Sequence, residues 1–234
     1  MKISVIIPMY NESKIIEQTS QKLSEYMDNN FDEYEIIFSD DGSSDGTVDI
    51  IKQMNLPCVR VIGYEDNRGK GSAVRNGMIN ATGDVKIFTD ADLAYGTEVI
   101  AGAYNQLINS DADVLIGSRN MYKDGYEGYT FIRRLMSKVY IRILCVVGNF
   151  RLSDSQCGIK AFKREAADDI FPRCCVDGFA FDFEVILWAQ KLDKKIVEMP
   201  VKIINHRDSS VKPVSDAFKM LADLKKIKKD IKSK

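Results

Sequence analysis

Short apolar runs alternate with helical patterns along the first half of the chain. Ile3–Ile7, Glu35–Ser39, Val59–Ile62, Val85–Phe88 and Val114–Ile116 read as strands. Between them, stretches from Ser13 to Met27, Asp45 to Met54, Lys70 to Ala81 and Thr97 to Asn109 read as helices. Such alternation predicts a mostly parallel α/β sheet with helices on both faces, because parallel strands need a long crossover and a helix usually supplies it. Ser13 stands where a capping hydroxyl would open the first helix, and Ile15, Ile16, Thr19, Leu23 and Met27 give that helix a core-facing stripe. Pro8 marks the expected stop of the first strand, and Gly83 the close of the third helix.

Beyond Asn120 the pattern changes. Tyr122 to Tyr129, with Gly125 and Gly128, reads as a loop. Phe131 to Val147 reads as a helix in which Arg133, Arg134, Lys138 and Arg142 are mixed among apolar residues. That mixture suits a helix at a membrane interface, and equally a core helix with solvated cations. Ile159–Phe162 and Lys195–Pro200 supply further strands, with a helix from Phe181 to Lys191 between them. From Ser215 to Lys234 the residues Phe218, Leu221, Leu224, Ile227 and Ile231 fall on one side of a helical pattern, and six lysines fill the last ten positions. This helix could lie on anionic lipid or present a solvated basic face. Residues 1–212 are therefore expected to form one domain, and 213–234 a basic amphipathic C-terminal helix.

Composition narrows the function. A chain of 234 residues, 45% hydrophobic and 29% charged, can bury a sizeable core, and a net charge of −1 offers no general attraction to nucleic acid. Five cysteines without Cys-x-x-Cys spacing, and a single histidine, His206, argue against an ordinary zinc site and favour reduced thiols. The chain enters a strand at Ile3 without a signal-peptide pattern, and no apolar run reaches bilayer length. A cytoplasmic protein is expected, with any membrane contact peripheral.

The chemistry gathers where strands end. Thr89-Asp90-Ala91-Asp92-Leu93 follows the fourth apolar run, so its carboxylates are expected at the ligand crevice of an open α/β sheet. Two carboxylates with a substrate diphosphate are what Mg2+ or Mn2+ prefers, although an isolated Asp-x-Asp can also simply cap a helix. Pro8-Met9-Tyr10-Asn11-Glu12 follows the first strand and Asp40-Asp41-Gly42-Ser43-Ser44 the second. Tyr10 offers a ring to a base, and Asp40 or Asp41 can accept hydrogen bonds from a base or ribose. Asn67-Arg68-Gly69-Lys70-Gly71 sets two cations among glycines before a helix, an expected anion cradle.

Together, Val5-Ile6-Ile7-Pro8-Met9-Tyr10-Asn11-Glu12, Ser39-Asp40-Asp41-Gly42-Ser43-Ser44-Asp45-Gly46-Thr47 and Thr89-Asp90-Ala91-Asp92 resemble the family 2 glycosyltransferases, which have the GT-A (Rossmann-like) fold. Further on, Gly117-Ser118-Arg119, Arg133-Arg134, Asp154-Ser155-Gln156-Cys157-Gly158-Ile159-Lys160, Phe181-Asp182-Phe183-Glu184 and Glu198-Met199-Pro200-Val201 resemble the dolichyl-phosphate (polyprenyl-phosphate) glucosyl- and mannosyltransferases. The resemblance implies an inverting, metal-dependent transfer of a hexose from a nucleotide sugar to polyprenyl phosphate. It implies that Pro8, Tyr10, Glu12, Asp40 and Asp41 hold the nucleoside, and that Asp90 and Asp92 bind Mg2+ or Mn2+ with the diphosphate, beside Ala91 and Lys70. Arg119 and Arg133 would grip donor or acceptor phosphates, and Gln156 and Asp182 would line the sugar side. After Asp-Ala-Asp-Leu the mannosyl type usually carries Gln; here Ala94-Tyr95-Gly96 is closer to the Ala of the glucosyl type, though without its usual Pro. A UDP-hexose is thereby favoured over GDP-mannose, and glucose over mannose.

Other readings remain. A saccharide hydroxyl acceptor, as in cell-envelope polysaccharide synthesis, would need a carboxylate base, for which Asp182 or Asp154 is the candidate. A nucleotidylyltransferase would want a glycine-rich loop after the first strand, which Pro8–Glu12 is not. A non-catalytic nucleotide-sugar binding module would bind donor without turning it over.

Overall fold

The computed structural model describes residues 1–122, 141–142, 144–205, 223–224 and 227–231. Seven strands form one sheet: β1 Ile3–Met9, β2 Tyr34–Asp40, β3 Val59–Gly63, β4 Val85–Thr89, β5 Val114–Ser118, β6 Ile159–Lys163 and β7 Ile196–Pro200. Their spatial order is β3-β2-β1-β4-β6-β5-β7. β6 runs antiparallel to both its neighbours, β4 and β5, and the remaining pairs are parallel. The helices are α1 Ile16–Asn30, α2 Thr47–Met54, α3 Lys70–Asn80, α4 Glu98–Ile108, α5 Arg164–Ile170 and α6 Phe181–Lys191. Residues 141–142 and 144–148 are also helical.

Period-2 alternation splits the core into two layers. On one face of the sheet Ile6, Ile37 and Phe88 pack with Val74 and Met78 of α3, Ile170 of α5 and Phe181, Ile186 and Trp188 of α6. On the other, Val5, Ile7, Phe38 and Ile87 pack with Leu23 and Met27 of α1, Ile51 of α2 and Ile100 and Leu107 of α4. Strands buried on both sides cannot alternate with polar residues, which is why they read as unbroken apolar runs. Lys86 is the exception on β4: its ammonium is buried, bonded to Met78 O at 3.1 Å and Asp168 Oδ1 at 2.5 Å.

Several local expectations are corrected. β1 continues through Pro8 to Met9. Pairing of β1 with β4 ends at Ile6, so the proline sits where one edge of the strand has no neighbour. Ser13 does not cap α1: the helix begins after Ile15, and the Ser13 N–H donates to Asp45 Oδ2 at 3.0 Å. That bond helps to zip together the loops after β1 and β2, along with Asn11 N–H to Ser43 Oγ at 2.8 Å and Glu12 N–H to Thr47 Oγ1 at 2.9 Å. All but Tyr122 of the loop expected at Tyr122–Tyr129 and most of the helix expected over Phe131–Val147 lie outside the described residues, as does His206. Of the C-terminal pattern, 223–224 and 227–231 are described and helical, with Leu224 and Ile227 buried in the α3/α6 layer.

Candidate active site at the carboxyl edge of the sheet

The parallel strands β1, β2, β4 and β5 all end at one edge of the sheet, and β6, running the other way, begins there. The register of β4 on β6 sets Thr89 opposite Ile159. Residues following Thr89 and those preceding Ile159 therefore face each other, and Gly158 comes to lie against Asp90. Asp90-Ala91-Asp92 is a turn rather than a strand extension: Leu93 N–H donates to Asp90 O at 3.0 Å, and Leu93 takes a positive φ of 46°. Neither carboxylate caps α4, whose N-cap is Thr97. Asp92 Oδ1 accepts the Ala94 N–H at 3.1 Å, and Asp90 Oδ1 meets Lys70 Nζ at 2.5 Å.

Lys70 stands in a field of carboxylates. Burial draws its ammonium down, but Asp90, Asp182 and Asp92 outweigh that and raise it above the ordinary lysine value, so it stays charged. Its neighbourhood is not the open anion cradle expected from the glycines. The N–H groups of Arg68 and Gly69 donate to the Asp41 carboxylate, and those of Gly71 and Ser72 to Asp177 O, at 2.7 and 3.3 Å. Helix-terminal amides already bonded to the protein are not open to phosphate, so the cationic side chains carry what attraction the segment has.

Asp40 and Asp41 differ in the same way. Asp41 accepts from Tyr64 OH at 2.7 Å and Asn67 Nδ2 at 2.9 Å besides those amides, so it holds the 64–69 loop instead of presenting to a ligand. Asp40 accepts the Ser43 N–H through Oδ2 at 3.0 Å, while its buried Oδ1 has no partner among the described residues. A buried carboxylate oxygen without a donor is costly, which points to a ligand donor at that atom. Tyr10, 47% exposed, is on the neighbouring loop. Pro8 and Ala91 are buried; the Ala91 side chain belongs to the α1/α4 core layer and its carbonyl accepts the Thr19 hydroxyl at 2.7 Å, so it braces the turn rather than lining the crevice. Glu12 bonds back through its carbonyl to Ile15 and Ile16 N–H, opening α1.

On the other side of the crevice two ion pairs are set deep. Lys160, fully buried on β6, donates to Asp182 Oδ1 at 2.5 Å and Cys157 O at 2.9 Å. Burial lifts the Asp182 carboxyl above the ordinary aspartate value against the pull of Lys160 and Lys70. Arg119, just past β5, holds Asp154 in a fork, Nε to Oδ2 at 2.7 Å and Nη2 to Oδ1 at 3.0 Å. Burial opposes its charge, yet Asp154 raises it well above the ordinary arginine value. Gln156 gives its N–H to the same Asp154 at 3.1 Å. Cys157 is a neutral buried thiol, pushed up to about 11 chiefly by burial. Arg133 lies outside the described residues.

The donor set fits a hard cation. Asp90 and Asp92 offer oxygen only, and one or two carboxylates plus phosphate oxygens are a usual Mg2+ or Mn2+ complement. Among the described residues no three His, Cys, Asp or Glu side chains converge. Sequence reasoning missed Lys160 as a site residue. A lysine inside the apolar run Ile159-Lys160-Ala161-Phe162 was the available signal, since a buried ammonium demands a carboxylate partner.

The model of glycosyl transferase family 2 matches residues 4–171. The dolichyl-phosphate beta-glucosyltransferase of Dictyostelium discoideum is 31% identical over 251 residues, covering 97% of this chain and 73% of that protein. The protein of the same name from Saccharomyces cerevisiae is 31% identical, covering 95% and 72%, and that of Homo sapiens 30%, covering 95% and 74%. Glucosyl-3-phosphoglycerate synthase from Mycobacterium tuberculosis, solved with Mn2+, UDP-glucose and phosphoglyceric acid, shares the fold with a TM-score of 0.73 over 97% of this chain and 79% of that one, at 18% identity.

Proposed function

Because the chain belongs to glycosyl transferase family 2, we propose that it transfers glucose from UDP-glucose to a dolichyl or other polyprenyl phosphate, with inversion at the anomeric carbon. The observation that carries the donor half is the meeting of Asp90, Asp92 and Lys70 at the end of β4, across from the Asp40 oxygen at the end of β2 that has no partner among the described residues. The acceptor half rests on near full-length likeness to proteins named for that reaction.

In this reading Tyr10 and Asp40 hold the nucleoside, Asp90 and Asp92 hold Mg2+ or Mn2+, and Lys70 neutralises diphosphate oxygens. The bound cation supplies charge neutralisation to the departing diphosphate. Asp182, kept in place by Lys160, accepts from a sugar hydroxyl, with Gln156 beside it. Arg119 and Arg133 steer the acceptor phosphate. An acceptor oxygen attacks the anomeric carbon from the face opposite the diphosphate; the new C–O bond forms as the old one breaks, and its electron pair leaves with UDP. A phosphate is already anionic near neutral pH, so no base has to remove a proton.

That last point separates the reading from hydroxyl transfer. Both candidate bases are engaged, Asp154 by the Arg119 fork and Asp182 by Lys160, which favours an acceptor that needs none. Residues 1–212 hold the reaction site in this scheme, and the C-terminal segment braces it through Leu224 and Ile227. No helix among the described residues is long and apolar enough to cross a membrane, so contact with a lipid acceptor would be made at the membrane surface.

The test is turnover with UDP-glucose and with GDP-mannose, each with Mg2+ or Mn2+, with and without a short polyprenyl phosphate. Lipid-dependent glucosyl product from UDP-glucose is expected. Donor binding without lipid-dependent product would overturn the acceptor, and product from GDP-mannose alone would overturn the donor.

A further inference from the structure

We infer that Gly158 is a positioning residue: its bare Cα leaves the space in which the Asp90 carboxylate stands, and Tyr95 fixes it there. The inference rests on the donor-site reading above and concerns the orientation of the carboxylate.

A Cβ placed on Gly158 would lie 2.1 Å from Asp90 Oδ2 and 2.8 Å from its Cγ. No side chain, not even a methyl group, fits beside the carboxylate as it stands. Backbone conformation does not demand the glycine, because Gly158 is not among the residues with positive φ, unlike Gly42, Gly46, Gly69 and Gly96. The requirement is therefore one of volume, and the three nearest contacts of that Cβ are all atoms of Asp90.

The other side of the carboxylate is held by Lys70, at 2.5 Å from Oδ1. Asp90 is thus confined between an ammonium and a peptide Cα, which selects one rotamer from those an exposed aspartate samples. The turn bearing Gly158 is itself held. Its N–H donates to Tyr95 OH at 3.3 Å, and Tyr95 is buried among Ile7, Ala91 and Ile159 in the α1/α4 core layer. Tyr95 follows Asp92 by three residues, so the segment just after the carboxylates carries the group that anchors the wall behind them. A first ligand whose orientation is set by such outer contacts loses affinity when they are changed.

The test pairs stability with ion binding. In cation-free protein, Gly158→Ala is expected to lower Tm, and this loss is expected to disappear when Asp90→Ala is present, because removing the carboxylate removes the obstruction. Equal losses in the two backgrounds would show that the glycine serves the backbone alone and would overturn the inference. Should Gly158→Ala fail to fold, recovery of a folded protein in the double variant supports the inference, and failure of the double variant too overturns it. With UDP present, Mn2+ binding followed by electron paramagnetic resonance is expected to weaken roughly 10- to 100-fold in folded Gly158→Ala, and less in Tyr95→Phe. Binding by Gly158→Ala equal to that of the unaltered chain overturns the positioning role. An unaltered chain that binds no Mn2+ with UDP overturns the donor-site reading, and the inference with it.

Discussion

At the scale of single residues, the site is a set of charges whose partners decide their use. The Asp92 carboxylate accepts the Ala94 N–H within its own turn, so Asp92→Ala should perturb the fold only locally while removing one of the two carboxylates proposed to hold the cation. Turnover in Mg2+ or Mn2+ is expected to fall by at least about 100-fold, the scale of losing a main electrostatic stabiliser; unchanged activity would sink the assignment. Lys160 makes the opposite case. Replacing it with Met leaves Asp182 buried beside no cation on that side, and breaking a buried pair from one end costs about 3–5 kcal/mol. Urea unfolding of Lys160→Met measures this, and a shift near zero would mean Asp182 is hydrated instead of paired.

Glu35 gives a pH-dependent version of the same argument. Burial pushes its carboxyl up, but hydrogen bonds from Ser4, Thr82 and Arg60 prevail and hold it at about 2 against an ordinary 4.5. A depressed folded value contributes stability that is complete above pH 4.5 and is lost as pH falls toward 2. Glu35→Gln should therefore cost roughly 3 kcal/mol at pH 7, with the gap from the unaltered protein closing in that acid window. A gap independent of pH would place the effect in packing. Asp90, Asp92, Asp40 and Tyr10 were legible as candidates because they stand where apolar runs break. The difference between Asp40 and Asp41 was not, since it depends on which of two adjacent carboxylates meets the 64–69 loop.

Elements came through the sequence unevenly, for physical reasons. Runs such as Ile3–Met9 and Tyr34–Asp40, buried on both faces, leave a strong signal. α5 was missed because its seven residues bury only Ala166, Ala167 and Ile170, too few to show a period. The direction of β6 was also out of reach, since strand polarity depends on partners distant in the chain. The C-terminal pattern suggested a face for lipid or a solvated basic face; of its described residues, Leu224 and Ile227 are buried in the core, Lys228 bonds to the Val147 carbonyl, and the Ile231 carbonyl accepts from Lys191. Ile227→Ala is accordingly expected to cost about 2–5 kcal/mol in chemical unfolding. A helix serving lipid alone would show no such loss in the absence of vesicles.

For the molecule as a whole, ligand and stability are linked. If donor and cation bind only the folded chain, Mn2+ with UDP at a hundred times its Kd should add about 2.7 kcal/mol, read as a rise in Tm that neither component gives alone. No rise would speak against a preformed donor site.

The reversal of β6 bears also on how the protein is made. During synthesis β4 appears long before its partner β6, and the first turn of α3 long before the Asp177 carbonyl that caps it. A nascent chain ending near residue 120 would carry both aspartates, yet β4 would be a naked edge and Asp90 would have no wall behind it. Exposed edges invite pairing with other chains, and domains of this size complete folding as units. Donor binding should therefore arrive all at once, late in translation, and chains released early should be substrates for chaperones, not weak enzymes.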